Sequence, residues 1–239
     1  MTILVVGASG ATGKLLVEEL LDNRENVKII VRDTAVLSDK IMEHESVIII
    51  KSNILDLNEQ ELRAHVNGCR AIVSCLGHNL TFKGVYGYPQ RLVTLTIERL
   101  CLAVQQLAPI EPIKFILMNS TGNKNTLANE KTSIMQSLVV GLIRHLVPPH
   151  ADNEQAAHYL QSQIGFDNQS IKWVVVRPDS LTNELSVSPY SIYPSPIRSA
   201  IFDAGKTSRI NVAHFMKQLI INTDEWGKWQ GKMPVIYNQ

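Results

Sequence analysis

Three glycines spaced three residues apart stand near the N-terminus, at Gly7, Gly10 and Gly13. They follow a short apolar run at residues 3–6 and precede a stretch with helical periodicity at residues 14–23. Such a loop lets the backbone approach a pyrophosphate closely, while the first helical turn offers free N–H groups and the positive end of the helix dipole. The pattern therefore predicts a dinucleotide-binding loop, with contacts from Gly7, Ser9, Gly10, Ala11, Thr12 and Gly13.

The alternative interpretation of this loop is a glycine-rich turn that binds nothing. Its G-x-x-G-x-x-G spacing departs from the commoner G-x-G-x-x-G, so the pattern alone discriminates weakly. Its position between an N-terminal strand and a helix is the one that dinucleotide-binding loops require. The position therefore favours the binding interpretation.

The residue after the second apolar run, residues 27–31, indicates which dinucleotide would bind. Sites specific for NAD carry Asp or Glu there, because the carboxylate hydrogen-bonds the ribose 2′-hydroxyl. Here Arg32 holds that position and Asp33 follows it. A guanidinium can stack on adenine and bind a 2′-phosphate, so we expect NADP, with NADPH favoured over NADH. The alternative is a solvated strand end at which Asp33 pairs with Arg32.

Apolar strand-like runs alternate with helical patterns along the chain. Such alternation implies right-handed crossovers and a parallel sheet that helices cover on both faces. The predicted fold class is therefore α/β, a doubly wound parallel sheet of the Rossmann type with a small C-terminal substrate lobe. The predicted strands are residues 3–6, 27–31, 47–51, 71–76, 113–118 and 173–176, and the predicted helices are residues 14–23, 57–66, 94–107 and 152–163.

Length and composition indicate one globular domain. The chain has 239 residues, is 45% hydrophobic and carries a net charge of +1. A chain of this size can bury a sizeable core, which excludes disorder and a disulfide scaffold. We expect a single NAD(P)-binding domain over residues 1–239, in which residues 179–210 contribute most of the substrate lobe. The near-zero net charge argues against nucleic acid as a partner.

Three features bear on the cellular setting. The cysteines, Cys69, Cys75 and Cys101, form no disulfide or metal pattern and fit a reducing compartment. We expect no signal peptide, since only two residues precede the first apolar run, and the apolar segment 133–147 is too short and too polar to cross a bilayer. We expect a cytoplasmic protein with a small-molecule acceptor and no membrane partner. Segment 133–147 is predicted to form a lid or a contact within a homo-oligomer.

Several short motifs resemble those of a known family and occur in its order: residues 7–13, 31–33, 74–77, 119–121 and 176–178. The chain is similar to atypical short-chain dehydrogenases/reductases, and in particular to the NAD(P)H-binding, NmrA-like group that includes biliverdin-IXβ/flavin reductase. Residues 208–215 also resemble that group's segment before its last helix. The resemblance covers nearly the whole chain, and the glycine loop is its most specific part.

The resemblance implies further cofactor contacts. Asn53 and Ile54 would lie at the adenine; family members usually have Asp in place of Asn53, and an asparagine can still pair with the adenine amino group. Ser120 would face the nicotinamide, and it is the residue for which a catalytic role is predicted. The remaining contacts would line the adenosine, the ribose and the nicotinamide amide: Cys75, Leu76, Gly77, Arg177 and Pro178.

The sequence departs from the family at its usual acid–base pair. Conventional members protonate the substrate with a Tyr, helped by a Lys four residues later on the helix after the fifth strand. Alignment of that helix puts Pro149 and Asn153 at these positions, and the chain contains no Y-x-x-x-K. Two hypotheses remain: an NAD(P)H-dependent reductase of a planar acceptor such as a flavin or quinone, or a non-catalytic NADP(H)-binding redox sensor. A sugar epimerase or isomerase is disfavoured by the same loss.

Other side chains carry weaker predictions. Ser120 either hydrogen-bonds a substrate or nicotinamide carbonyl or caps the turn after its strand. His78, Tyr86 and Tyr88 lie on the loop after the fourth strand, where they would overhang the nicotinamide. Cys75 is interpreted as a buried packing residue rather than a nucleophile, because no base accompanies it.

Three residues near the predicted fourth helix were considered as metal ligands. His150, Asp152 and His158 do not share one helical face, so no metal site is predicted. His158 could donate a proton, although a solvated helix face is the commoner setting for such a histidine.

Overall fold

The predicted alternation of strands and helices is present in the computed structural model, which describes residues 1–78, 86–128, 130, 141 and 147–239. Its strands are β1 (Thr2–Val6), β2 (Val27–Val31), β3 (Val47–Lys51), β4 (Cys69–Ser74), β5 (Ile113–Met118), β6 (Ile171–Pro178), β7 (Ser180–Thr182), β8 (Tyr190–Tyr193), β9 (Lys206–Ser208) and β10 (Val235–Asn238). Its helices are α1 (Ala11–Asp22), α2 (Asp39–Met42), α3 (Glu59–Val66), α4 (Leu92–Leu107), α5 (Pro148–Tyr159), α6 (Arg209–Ile221) and α7 (Thr223–Trp229).

Eight of the described strands form one central sheet, in the order β3-β2-β1-β4-β5-β6-β10-β8. Neighbouring strands run parallel, except that β8 is antiparallel to β10. The carboxyl ends of the parallel strands therefore share one edge. The strand order reverses between β1 and β4, and a crevice that binds ligands is expected at such a switch point. The predicted doubly wound parallel sheet is confirmed.

Helices cover both faces of the sheet. One apolar cluster packs α3, α4 and α5 against the sheet through residues such as Leu62, Ile97 and Ala156. The other packs α1 and α6 on the opposite face, with Leu16 and Phe215 among its members. The central strands are buried on both sides, which explains why they read as continuous apolar runs rather than as alternating patterns.

The helix predicted at residues 152–163 is longer and less regular than expected. It begins at Pro148, because a proline fits the first helical turn, where its missing N–H is not needed. After Tyr159 it continues as a π-turn, Leu160–Ile164, in which Gly165 N–H donates to the Leu160 carbonyl at 3.0 Å. The π-turn places one extra residue in the helix before β6.

The C-terminal part of the fold contains strands that were not predicted. β7 and β9 form a separate parallel pair, in which Ser180 is opposite Lys206. β8 and β10 extend the central sheet instead. The predicted substrate lobe, residues 179–210, therefore contributes both to the small pair and to the edge of the main sheet.

The apolar segment predicted at residues 133–147 lies outside the described residues, apart from positions 141 and 147. Within the described part of the chain, no helix is long and apolar enough to cross a membrane.

Candidate functional site

The glycine loop after β1 is held against the end of β4. Gly7 has a φ of +79°, and a Cβ built on it would lie 2.5 Å from the carbonyl carbon of Cys75. A Cβ on Gly13 would lie 2.1 Å from the Gly7 carbonyl oxygen. Only glycine therefore fits at either position. Gly7 lets the loop pack against the end of β4, and Gly13 lets helix α1 pack against the loop.

Helix α1 presents an open N-terminus at the carboxyl edge of the sheet. Gly10 holds the N-cap position without a side-chain cap, and the first turn contains no acidic residue. Ser9, Gly10 and Ala11 are exposed, whereas Thr12 is almost buried. Of the two hydroxyl side chains in the loop, that of Ser9 is thus the accessible one. Uncapped N–H groups at the positive end of a helix dipole can bind phosphate.

Arg32 lies at the carboxyl end of β2, on the same edge, with an exposed side chain. Among the described residues it takes part in no ion pair, while Asp33 lies 3.9 Å from Lys51. The pairing of Asp33 with Arg32 that we considered as an alternative is therefore not observed. The 2′-phosphate contact of Arg32 stays a prediction.

Asn53 follows β3 and closes a local turn. Its Nδ2 donates to Asp56 Oδ1 at 3.0 Å, and its Oδ1 lies 3.5 Å from the Leu55 nitrogen. The neighbouring Ile54 is 7% exposed, and its carbonyl accepts a hydrogen bond from Arg99. The adenine contact implied at Asn53 stays a prediction, and it would require this amide to exchange one of its turn hydrogen bonds.

The segment after β4 contains Cys75, Leu76 and Gly77. The Cys75 N–H donates to the Val6 carbonyl at 2.9 Å, which joins the segment to β1 directly before the glycine loop. Burial raises the pKa of Cys75 to about 12. The thiol is therefore protonated at neutral pH and unsuited to act as a nucleophile, in agreement with its interpretation as a packing residue.

Ser120 follows β5, and its hydroxyl oxygen accepts a hydrogen bond from the Gly122 N–H at 3.1 Å. The predicted turn cap is thus present. A hydroxyl that accepts one hydrogen bond still has its own hydrogen to donate, so capping and substrate contact are compatible. The preceding Asn119 donates through Nδ2 to the Asn153 carbonyl at 2.8 Å, which ties the end of β5 to α5.

The side chain of Arg177 is enclosed in the fold. Its guanidinium is completely buried and forms a bidentate ion pair with Glu130, with Nη2 2.6 Å from Oε1 and Nη1 3.0 Å from Oε2. It also donates to the carbonyls of Met233 and Asn123. The side chain is committed to the fold, so any cofactor contact here falls to the backbone of Arg177 and Pro178.

The side chain of His78 is likewise buried. Its Nε2 lies 2.7 Å from Asp152 Oδ2. Asp152 also accepts hydrogen bonds from the backbone N–H groups of Val93 and Thr94, at 2.8 and 2.9 Å. Burial alone would raise the pKa of Asp152, but the hydrogen bonds from His78, Thr94 and Val93 outweigh it and hold this pKa below its usual value.

Asp152 therefore caps helix α4 from a neighbouring helix, a role that the sequence analysis missed. Arg91 stands at the N-cap of α4, and its side chain makes no capping hydrogen bond. An arginine at this position was the signal that another residue must cap the helix. Tyr86 and Tyr88, the other residues predicted on this loop, are 49% and 96% exposed.

The first turn of α5 brings His150 to the end of β5. A Cβ built on Gly122 would lie 3.3 Å from His150 Cε1 and 3.5 Å from Ser120 Oγ. The imidazole and the hydroxyl thus flank the same backbone position. Sequence analysis weighed His150 only as a metal ligand; its position one residue after Pro149 was the signal that was missed.

A cavity of about 570 Å³ opens in the predicted substrate lobe. Its walls include Thr182, Arg198, Lys206 and Asn238, from the ends of β7, β9 and β10 and the loop before β9. The glycine loop does not line it, so this cavity is separate from the edge at which α1 begins.

The sequence from residue 7 to residue 223 matches the model of a protein family described as NAD(P)H-binding. The chain belongs to this NAD(P)H-binding family. The match begins at the first glycine of the loop, directly after β1, and ends at Thr223, the first residue of α7. A comparison with curated protein sequences finds no match.

Solved structures share the fold of this family member over its whole length. A short-chain dehydrogenase/reductase from Veillonella parvula in complex with NADP has a TM-score of 0.71 at 16% identity, over 99% of this chain and 94% of its own. ChuY, an anaerobillin reductase from Escherichia coli O157:H7, has a TM-score of 0.66 at 16% identity, over 100% and 97%. A Streptococcus pneumoniae protein with a provisionally attributed NADH-flavin reductase activity has a TM-score of 0.66 at 17% identity, over 100% of both chains.

Proposed function

We propose that this protein is a reductase that uses NADPH to reduce a planar acceptor such as a flavin or quinone. The observation that carries the proposal is the open N-terminus of α1 beside the exposed Arg32. The first suits a pyrophosphate, and the second suits a 2′-phosphate. The NADP of the Veillonella structure, and the reductase names of the other two neighbours, support this class of reaction.

The residues along the sheet edge would divide the binding between them. The first turn of α1 and Ser9 would hold the pyrophosphate, and Arg32 would hold the 2′-phosphate. Asn53 would contact the adenine, and the segment from Cys75 to Gly77 would line the ribose. Bound NADPH would supply the hydride.

Ser120 would orient the reacting groups. Because its oxygen already accepts the Gly122 N–H, its hydrogen can be donated to a carbonyl of the nicotinamide or of the acceptor. A flavin or quinone can take its proton from water, so the missing Tyr–Lys pair does not prevent the reaction. The contribution of the protein would be proximity and orientation, with the acceptor held against the lobe of residues 179–210 in a cytoplasmic enzyme.

The second candidate is a redox sensor that binds NADP(H) without turnover. It is favoured by the lack of Y-x-x-x-K and by the protonated, buried thiol of Cys75, which leave two familiar catalytic groups out of the site. A sensor would bind the reduced and the oxidised cofactor with unequal affinity. It would not oxidise NADPH, whether a flavin or a quinone is added as the acceptor.

The two candidates are separated by following NADPH oxidation with and without a panel of flavins and quinones. The test compares wild type with Arg32→Glu, which removes the 2′-phosphate ligand, and with Arg24→Glu. Arg24 is exposed at the far end of α1, so its substitution makes the same charge change away from the site. We expect acceptor-dependent oxidation by wild type and by Arg24→Glu.

In the same experiment Arg32→Glu should weaken NADPH binding by about tenfold or more, because one charged hydrogen-bond partner contributes roughly 1.5–3 kcal/mol. NADH binding should change little. Unchanged NADPH affinity in Arg32→Glu would contradict the 2′-phosphate assignment, and tight NADPH binding without turnover on any acceptor would favour the sensor.

A further inference from the structure

His150 lies at the reacting side of the sheet edge. Its ring and the Ser120 hydroxyl border the same point above Gly122, and Ser120 is the residue proposed to face the nicotinamide. Of its two ring nitrogens, Nε2 is buried, whereas Nδ1 lies 3.7 Å from this point and is the one that would reach the acceptor that Ser120 orients. It is also a group that exchanges protons readily near neutral pH.

The helical turn that carries His150 is fixed from two sides. The Asn153 carbonyl accepts a hydrogen bond from Asn119 at the end of β5. Asp152 is held by the N-terminus of α4 and by His78. Both anchors lie within three residues of His150, so its backbone is well positioned relative to Ser120. Such preorganisation is what a proton donor in catalysis requires.

The spacing along α5 provides a second group. Glu154 follows His150 by four residues, and residues four apart lie on the same face of a helix. The missing Tyr and Lys have this spacing too, and the positions aligned with them, Pro149 and Asn153, have no titratable side chain. One residue further along the helix, the chain offers an acid–base residue and a carboxylate instead.

We propose that His150 is the proton donor of the reaction, with Glu154 as its positioning residue, and that the acceptors are carbonyl compounds of the quinone type. This inference rests on the proposed reductase function. When a neutral quinone receives a hydride it becomes an anion, and its remaining oxygen is then strongly basic. A cationic dye that receives a hydride becomes neutral and has no such basic oxygen. Only the first acceptor gains from a placed acid.

The reaction balances as NADPH plus quinone plus a proton giving NADP⁺ and hydroquinone. One quinone oxygen gains the hydride, and the other takes the proton from the His150 imidazolium as an N–H bond breaks, so that the two O–H bonds of the hydroquinone form. The neutral imidazole then regains its proton from water. Glu154 stabilises the imidazolium through its charge and touches neither reactant.

The test compares two acceptors on the whole protein: 1,4-naphthoquinone, which needs a proton, and the methylene blue cation, which accepts hydride without one. His150→Gln keeps a hydrogen-bonding side chain but cannot transfer a proton. His158→Gln is the matched control, because His158 lies on the same helix with an exposed side chain. Thermal unfolding of each variant shows that it is folded, and uncatalysed dye reduction is subtracted.

We expect His150→Gln to lower kcat for naphthoquinone by about 100-fold, the lower range for removal of a general acid. Its rate with methylene blue and its KM for NADPH should stay within about twofold of wild type. His158→Gln should match wild type with both acceptors. Added imidazole should restore part of the quinone rate of His150→Ala, and Glu154→Gln should lower kcat for the quinone alone, by about tenfold.

The outcomes distinguish a failure of the proposed reductase function from a failure of the role assigned to His150. If wild type oxidises NADPH with neither acceptor, the reductase function itself fails. If wild type is active and His150→Gln keeps the quinone rate, His150 is not the proton donor. An equal loss with both acceptors in a folded His150→Gln would show that the histidine shapes the site instead, and this too would overturn the proposal.

Discussion

The glycines of the loop differ in the space that a side chain would have. Gly10 is exposed, and a Cβ there would lie 3.2 Å from the Gly7 oxygen, a tight contact that a small shift relieves. Gly13 has no such room, because its Cβ would overlap the same oxygen at 2.1 Å. The two glycines therefore differ in what a side chain would disturb: the surface offered to a ligand in one case, the packing of α1 in the other.

We expect Gly10→Val to abolish detectable NADPH binding while the melting temperature changes by only a few degrees. Gly13→Val should destabilise the fold by about 1–3 kcal/mol or more, as overpacked sites do. Calorimetric titration with NADPH and thermal unfolding of both variants check the pair. Tight NADPH binding by Gly10→Val would mean that the cofactor lies elsewhere.

For individual residues, the sequence predicted positions that backbone geometry determines better than it predicted the contacts of side chains. The loop glycines follow from local geometry, so their spacing sufficed. The burial of Arg177 depends on Glu130, 47 residues away in the chain. No local sequence pattern indicates a partner at that separation, so the ion pair could not be predicted; the cofactor contact at Arg177 and Pro178 stays a prediction for the backbone.

Among the elements, α4 and α5 depend on a single carboxylate. Asp152 accepts two backbone N–H groups of α4 and pairs with His78. Because its pKa is held low in the fold, its stabilisation is complete above its unfolded pKa of about 3.9 and is lost as the pH falls through the folded value.

Asp152→Asn should therefore lower the free energy of unfolding at pH 7 by about 1–3 kcal/mol, since buried donors lose their charged acceptor. The difference from wild type should shrink as the pH is lowered below about 4. Denaturant unfolding at several pH values measures this, with the exposed Asp167→Asn as control. A difference that stays constant from pH 7 to pH 3 would contradict the ionised cap.

The long buried strands were predictable as continuous apolar runs, and the amphipathic helices were predictable from their helical periodicity. The short strands β7 and β9 were not, since three residues carry no period, and their pairing depends on chain segments 26 residues apart. The extension of α5 to Pro148 was not predicted, because tandem prolines can stand either before a helix or in its first turn.

For the whole molecule, cofactor binding should be visible as stability. A ligand that binds only the folded state at 100 times its Kd stabilises that state by about 2.7 kcal/mol. For a domain of this size that corresponds to a rise in Tm of roughly 5–10 °C. We expect NADPH to produce such a rise in wild type, NADH to produce less at equal concentration, and Gly10→Val to show none.

A rise of equal size with NADH and NADPH would leave the dinucleotide site in place but remove the preference assigned to Arg32. The fold class itself needed no such measurement, because alternation of elements along the chain determines a parallel sheet almost uniquely. How copies of the chain associate is not encoded in that alternation, and the predicted homo-oligomer remains a prediction that light scattering can check.

The π-turn at Leu160–Ile164 makes the face of α5 unusually easy to change during evolution. One residue of an α-helix corresponds to a rotation of about 100°. Deletion of a single residue from this turn would therefore rotate the preceding part of α5 relative to β6 and carry His150 away from Ser120. An insertion or deletion can thus exchange the side chain beside Ser120 without any substitution there, a route by which relatives with one fold can diverge in the chemistry they perform.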